Sequence, residues 1–169
     1  MPAEGDAAGT VRDARAADLD RVAELWVAIT EHHRPLDPLF TMRRDAAVPL
    51  RELLFALYRD PDCAIFVYEE PGPGGDVPGQ IVGMAIVRVD LAPPILEEVE
   101  RAEITDLGVR ASHRRLGIGR LLLDEALAWV RSRGVERVEL QVAAGNREGQ
   151  AFWRALGFGE LMHVLHKRL

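Results

Sequence analysis

The chain reads as a single α/β domain built around a mainly antiparallel sheet. Three observations predict this class. Its 169 residues are one domain's worth, enough to bury about two-thirds or more of the unfolded surface. Strand-like runs with apolar alternation are interspersed with runs whose apolar residues recur at helical spacing. No internal repeat, low-complexity segment or interdomain linker interrupts them.

Taken in order, residues 1–9 are rich in Ala and Gly and are expected to form a disordered tail, leaving 10–169 as the domain. Thr10 to Ala14 suits a short first strand. Asp18 suits a helix N-cap, and Leu19, Val22, Trp26 and Ile29 then place one apolar face inward. Pro35 and Pro38 break that helix, and a second is expected from about Arg44 to Arg59, burying Leu50, Leu53, Leu54 and Leu57. Ala64 to Glu70 and Gln80 to Asp90 read as strands joined by the Gly/Pro-dense connection Pro71 to Gly79. Leu91 to Arg101, with Pro93 and Pro94, reads as a loop over one end of the sheet, and Glu103 to Val109 as the next strand. A helix then runs on from the Gly117–Gly119 loop and stops at Gly134. Val138, Leu140 and Val142 alternate with Glu139 and Gln141, a half-buried strand. Asn146 to Leu156 suits a short helix and Glu160 to Lys167 a final strand.

Bulk properties narrow the function. The chain is 48% hydrophobic and 28% charged, ordinary values for a globular protein. No apolar run approaches the ~18 residues that span a bilayer, and Met1 to Asp6 lacks the basic start of a signal peptide. Cys63 is the single cysteine, so no internal disulfide can form. A cytoplasmic protein is the expectation. The net charge of −6 argues against nucleic-acid binding, which draws most of its affinity from a basic face. It suits a cationic partner such as an amine.

The richest segment is Arg114-Arg115-Leu116-Gly117-Ile118-Gly119, between the Ile104–Val109 strand and the helix opened by Arg120. A strand entering a Gly loop that opens a helix presents main-chain N–H groups and a positive dipole end. Gly117 and Gly119 let phosphates approach the backbone, while Arg114, Arg115 and Arg120 add charge at the mouth. The loop reads as an anion cradle, although a lone Gly-Ile-Gly also suits a plain helix entry. A dinucleotide fingerprint fails because Leu122 stands where a third glycine is needed, and a P-loop fails because the chain's one lysine is Lys167.

Arg114 to Gly119 matches the [QR]-x-x-G-x-[GA] signature of the GCN5-related N-acetyltransferase (GNAT) superfamily. Asn146 and Ala151 to Phe158 resemble that family's closing motif, and the resemblance runs from about Val11 to Leu165. It implies a sheet of about six or seven strands, flanked by helices and splayed where acetyl-CoA enters. It further implies direct acetyl transfer to a primary amine in a ternary complex, and admits a homodimer. Leu107 and Val109 would meet the pantetheine arm through main-chain groups. Arg114, Arg115, Leu116, Gly117, Ile118, Gly119 and Arg120 would hold the pyrophosphate, with Asn146 on the arm or as a helix N-cap.

Catalysis must deprotonate an amine whose free pKa is near 10.4 in a Lys-like group. Glu103 is the candidate base by the same resemblance; its other reading is a solvated glutamate beside Arg101. Asp106, three residues on, is expected on the opposite face of the strand. Trp153 stands where the family's acid tyrosine would be, and an indole N–H cannot supply a proton at ordinary pH. Trp153 is expected to pack along the cofactor arm or in the core. That substitution keeps a second reading open, a catalytically silent acyl-CoA sensor or interaction domain. A nucleotide or phosphate module sharing only the Gly loop is a third. The substrate wall is expected from His32 to Asp45 and Leu91 to Arg101, with Glu97, Glu98 and Glu100 favouring a cationic acceptor. His32, His33 and Asp37 have no further ligands at metal-site spacing, so no metal is expected.

Overall fold

The computed structural model describes residues 9–72 and 79–169. Most of the expected disordered tail, and the centre of the Pro71–Gly79 connection, lie outside them. Within them five strands form one sheet in the order β1 (Thr10–Asp13), β2 (Cys63–Glu70), β3 (Gln80–Leu91), β4 (Glu100–Val109), β5 (Val138–Leu140). The first three pairings are antiparallel and β4–β5 is parallel. The sheet is therefore mixed, with five strands rather than six or seven. The expected last strand, Glu160 to Lys167, has no regular structure, and Leu161, Met162, Val164 and Leu165 stand exposed beyond the sheet. An apolar alternation without a neighbouring edge to pair with does not make a strand. β5 also stops at Leu140, short of Val142, while β3 and β4 extend into the expected 91–101 loop.

Helices cover both faces. The helix α3 (Ile118–Ser132) lays Ile118, Leu122, Leu123, Ala126 and Val130 against one face, with α4 (Arg147–Ala155) beside it. On the other face, α1 (Leu19–His33) and α2 (Ala47–Arg59) pack Val22, Leu25, Leu50 and Leu54 onto Ile65, Val67, Met84 and Ile86. Asp18 stands at the start of α1, but its carboxylate makes no cap bond to the helix. It accepts instead from the Arg15 amide, Arg12 and Arg21. No helix of the described residues is long and apolar enough to cross a membrane.

Two irregularities open the sheet. The parallel pairing of β4 with β5 covers only Ala102–Ile104 against Val138–Leu140, after which the two strands part. At the same level the β3–β4 register slips between Ile86 and Val87, so that Thr105 bulges out of the ladder.

Candidate active site

A cleft of about 1070 Å³ fills the gap where β4 and β5 separate. It reaches both faces of the sheet. Gly119, Phe152 and Trp153 line it on the α3 side; Trp26, Ile29 and Asp106 line it on the α1 side.

The cradle sits at the α3 end. Gly117 is the N-cap residue of α3, with φ +83°, and no atom lies within 4 Å of the position a Cβ would take. No side chain caps this helix and no acidic residue stands in its first turn. The Ile118 and Gly119 amides therefore have no partner within the helix, whereas those of Arg120 and Leu121 donate to Gly117 O at 3.0 and 3.1 Å. Arg115 also adopts a left-handed conformation, with φ 65°, and pairs with Glu148 of α4 at 3.1 Å. Arg114 donates to Val109 O at 3.3 Å and to His32 Nε2 at 3.1 Å. Arg120 pairs with Asp124 on the exposed face of α3. Ile118 is buried beneath the turn, whereas Leu116 points to solvent, 67% exposed, and does not line the cleft. A side chain at Gly119 would touch Phe152 and Leu107, so this glycine sets how closely α4 approaches β4.

Along the cleft, β4 is a bare strand edge. The Arg110 amide donates to Val82 O on β3 at 2.7 Å. Alternation then turns the Leu107 and Val109 amides the other way, into the gap that β5 has left. An extended chain of amides laid there would complete the ladder. The pantetheine arm of CoA is such a chain, and its pyrophosphate fits the open α3 terminus. Asn146 caps α4, its Oδ1 accepting from the Gly149 amide at 2.9 Å, while its Nδ2 lies 3.3 Å from His33 Nε2. Trp153 packs edge-on between Phe152 and Phe158, at 5.0 and 5.1 Å, as well as lining the cleft. The two tyrosines lie elsewhere, Tyr68 in the core and Tyr58 on α2.

The bulge redistributes the carboxylates. Glu103 is opposite Arg88 and Asp106 opposite Ile86, and Arg88 and Ile86 share a face of the uninterrupted strand β3. Glu103 and Asp106 therefore lie on one face, the α1 face, and not on opposite ones. Their surroundings differ. Glu103 is clasped by Arg88 at 2.7 and 3.2 Å and does not line the cleft. Asp106 does, and its Oδ1 accepts from the indole N–H of Trp26 at 2.7 Å. Burial pushes the Asp106 carboxyl above its ordinary value against hydrogen bonds from Thr105 and Trp26, and the Glu103 charge adds to the rise.

Sequence reasoning missed part of the wall. Trp26, Ile29 and Thr30 share one stripe of α1 with His33, which the expected wall from His32 onward includes, and all four line the cleft. The signal was present, since Thr30 and His33 continue the apolar period of Trp26 and Ile29 with polar residues. His33 Nδ1 donates to Ile29 O at 3.0 Å, and its ring lies 5.8 Å from Phe40. Partial desolvation and the charges of Arg114 and His33 lower the pKa of His32. His113, another cleft residue, is tied to Glu70 at 3.1 Å. The Leu91–Arg101 segment contributes no lining residue, and Glu98 pairs with Arg137. Among the described residues no cluster of three His, Cys, Asp or Glu could hold a metal ion.

A β4–β5 splay beside an open Gly-loop helix terminus is the arrangement that the GNAT resemblance implies. The chain matches the Acetyltransferase (GNAT) family over residues 15–158 and belongs to it. It is 30% identical over 151 residues to an uncharacterized N-acetyltransferase of Methanocaldococcus jannaschii, a match covering 89% of this chain and 61% of that one. The chain thus spans less than two-thirds of the length of the curated relatives it matches. The fold is similar to the BH1408 protein of Bacillus halodurans, with TM-score 0.80 and 20% identity over 95% of this chain and 99% of that one. It is also similar to a predicted acetyltransferase of Clostridium acetobutylicum solved with acetyl-CoA, with TM-score 0.71 and 16% identity over 95% and 96%.

Proposed function

We propose that the chain is an N-acetyltransferase that moves an acetyl group from acetyl-CoA to a primary amine by direct transfer in a ternary complex. One observation carries this reading. A single cleft joins an uncapped helix terminus, a bare strand edge and a half-buried carboxyl on the far side of the sheet. Bound acetyl-CoA supplies an activated acetyl thioester. Arg114, Arg115, Gly117, Ile118, Gly119 and Arg120 hold its pyrophosphate, with Leu116 supporting only the turn. The Leu107 and Val109 amides, Asn146 and Trp153 line the arm.

The family resemblance gives the base to Glu103. We assign it instead to Asp106, because Glu103 is engaged by Arg88 and Asp106 reaches the cleft. Asp106 takes the proton that the protonated amine must lose, and a positioned base of this kind contributes ~10²–10⁴-fold. Its raised proton affinity narrows the gap to the amine. Glu103 acts through its charge. Trp153 cannot protonate the leaving thiolate, whose pKa near 8.5 lets it depart as the anion. This substitution also favours a second reading, an acyl-CoA sensor without turnover.

Thermal unfolding with acetyl-CoA tests binding. Ligand at ~100 times its dissociation constant adds about 2.7 kcal/mol, a midpoint rise of roughly 5–10 °C for a domain of this size. Gly117→Glu should abolish the rise and Gly117→Ala should retain most of it, separating charge from left-handed strain. Amine-dependent release of free thiol then distinguishes the enzyme from the sensor. No rise in wild type would overturn both.

The assembly is proposed to be a cytoplasmic homodimer, supported by family resemblance and by the uncovered apolar segment at Leu161 to Leu165. Light scattering should then give twice the 18.7 kDa of one chain.

A further inference from the structure

We infer that the acceptor is a monoamine with an apolar or aromatic body, and not a polycation. This rests on the acetyltransferase reading and concerns the α1 half of the same cleft. The acceptor belongs in that half because the cradle occupies the other. Gly117 and Arg120 stand where α3 begins, on the α3 face, whereas Asp106 looks across to Trp26 on the α1 face.

The acceptor half sets apolar walls among a few polar side chains. Trp26, Ile29, Phe40 and Met84 form its walls. Its polar side chains are largely satisfied internally: Thr30 Oγ1 donates to Trp26 O at 3.0 Å, and His33 bonds Ile29 O while facing Asn146. Asp106 is left as the anchor for an ammonium group. Among the described lining residues one other carboxylate occurs, Glu148, and Arg115 takes it at the cradle end. The remaining charged side chains in the lining are basic, namely Arg114, Arg115, Arg120 and Arg147.

A second ammonium group on the acceptor would therefore meet apolar walls or like charge. Burying an unpaired polar or charged group costs several kcal/mol, whereas an alkyl or aryl body against Trp26 and Phe40 gains by burial and ring contact. The acidic residues expected to favour a cationic acceptor, Glu97, Glu98 and Glu100, lie outside the cleft lining. The site recognises one cation and excludes a second.

The test uses the full chain with acetyl-CoA and four amines: 2-phenylethylamine, hexylamine, spermidine and kanamycin. Free-thiol release should give kcat/KM values at least tenfold higher for both monoamines than for either polycation. Phe40→Ala, at a half-buried position outside the cradle, should lower kcat/KM for 2-phenylethylamine about tenfold, mainly through KM. The acetyl-CoA thermal shift of that variant should equal wild type. Equal or better use of the polycations, no turnover of either monoamine, or an unchanged KM in Phe40→Ala would each overturn the acceptor class while an intact acetyl-CoA shift preserves the acetyltransferase reading. Loss of that shift in wild type would overturn both together.

Discussion

Replacing Trp26 with Phe trims the ring and removes the indole N–H whose hydrogen bond Asp106 accepts at 2.7 Å. This bond favours the charged carboxylate, so its loss must raise the Asp106 pKa beyond the increase that burial already causes. A hydrogen bond to a charged group is worth about 1.5–3 kcal/mol. At about 1.4 kcal/mol per pH unit, the acid limb of the kcat/KM profile should move up by about 1–2 units. The assay is free-thiol release with one amine across the pH range for both enzymes, so ionisation of the amine cancels between them. Asp106→Asn should lose the limb and ~10²–10⁴ in rate. The sign of its stability effect is the opposite. A carboxyl whose folded pKa is raised stabilises the fold while protonated, and that contribution disappears as pH rises through the folded value. At neutral pH Asp106→Asn should therefore unfold no earlier than wild type. An acid limb that stays within ~0.3 units in Trp26→Phe would refute Asp106 as the base.

Three further outcomes follow from particular contacts. Gly108→Ala would drive a methyl into Ile29 Cδ1 on α1, and such overpacking costs about 1–3 kcal/mol in urea denaturation; an unchanged midpoint would mean that α1 moves freely over β4. Asn146→Ala removes the cap on α4 and the link to His33, so helix and protein should lose about 1 kcal/mol, roughly 2–4 °C, with a weaker acetyl-CoA shift. At Asp18, burial opposes the charge, but hydrogen bonds from Arg12, the Arg15 amide and Arg21 prevail and hold the pKa at about 2, below the ordinary 3.8. The contribution, about 2 kcal/mol, is present above pH ~4 and lost as pH falls towards ~2. Asp18→Asn should accordingly be destabilised at pH 7 and converge on wild type in acid; equal stability at pH 7 would refute the network's role.

The cradle was legible because its chemistry is local. Gly117 and Gly119 at the start of a helix, with arginines around them, specify an open N-terminus wherever the rest of the chain lies. The order of elements was legible from periodicity for the same reason. The face of Asp106 was not, because a one-residue slip at Thr105 reverses every later side chain and leaves no mark in the alternation of a half-buried strand. The expected last strand does not form, because Leu161, Met162, Val164 and Leu165 have strand composition while pairing depends on an edge that composition cannot supply. The periodicity of α1 makes Trp26 and Ile29 a core stripe and gives only His32 and His33 to the wall; Trp26 and His33 take their roles from Asp106 and Asn146, which are 80 and 113 residues away in sequence.

The bulge and the splay belong together. Had β4 continued in register with β5 past Ile104, the Leu107 and Val109 amides would be consumed by the sheet and no cleft would exist. Had β4 lacked the bulge, odd-numbered residues before and after Thr105 would share a face. Leu107 and Val109 now pack toward α3, whereas Glu103 is on the α1 side, and Asp106 has exchanged faces to join it. The slip thus directs one carboxyl to the acceptor half and two apolar side chains to the α3 core, while their amides point along the gap between. Deleting Thr105 should restore an even alternation while leaving Asp106 on the α1 face beside Glu103, because Ile104 already faces α3. Acetyl-CoA binding and base catalysis should then both survive the deletion, whereas loss of base catalysis alone would mean that the bulge residue itself sets the reach of Asp106 into the cleft.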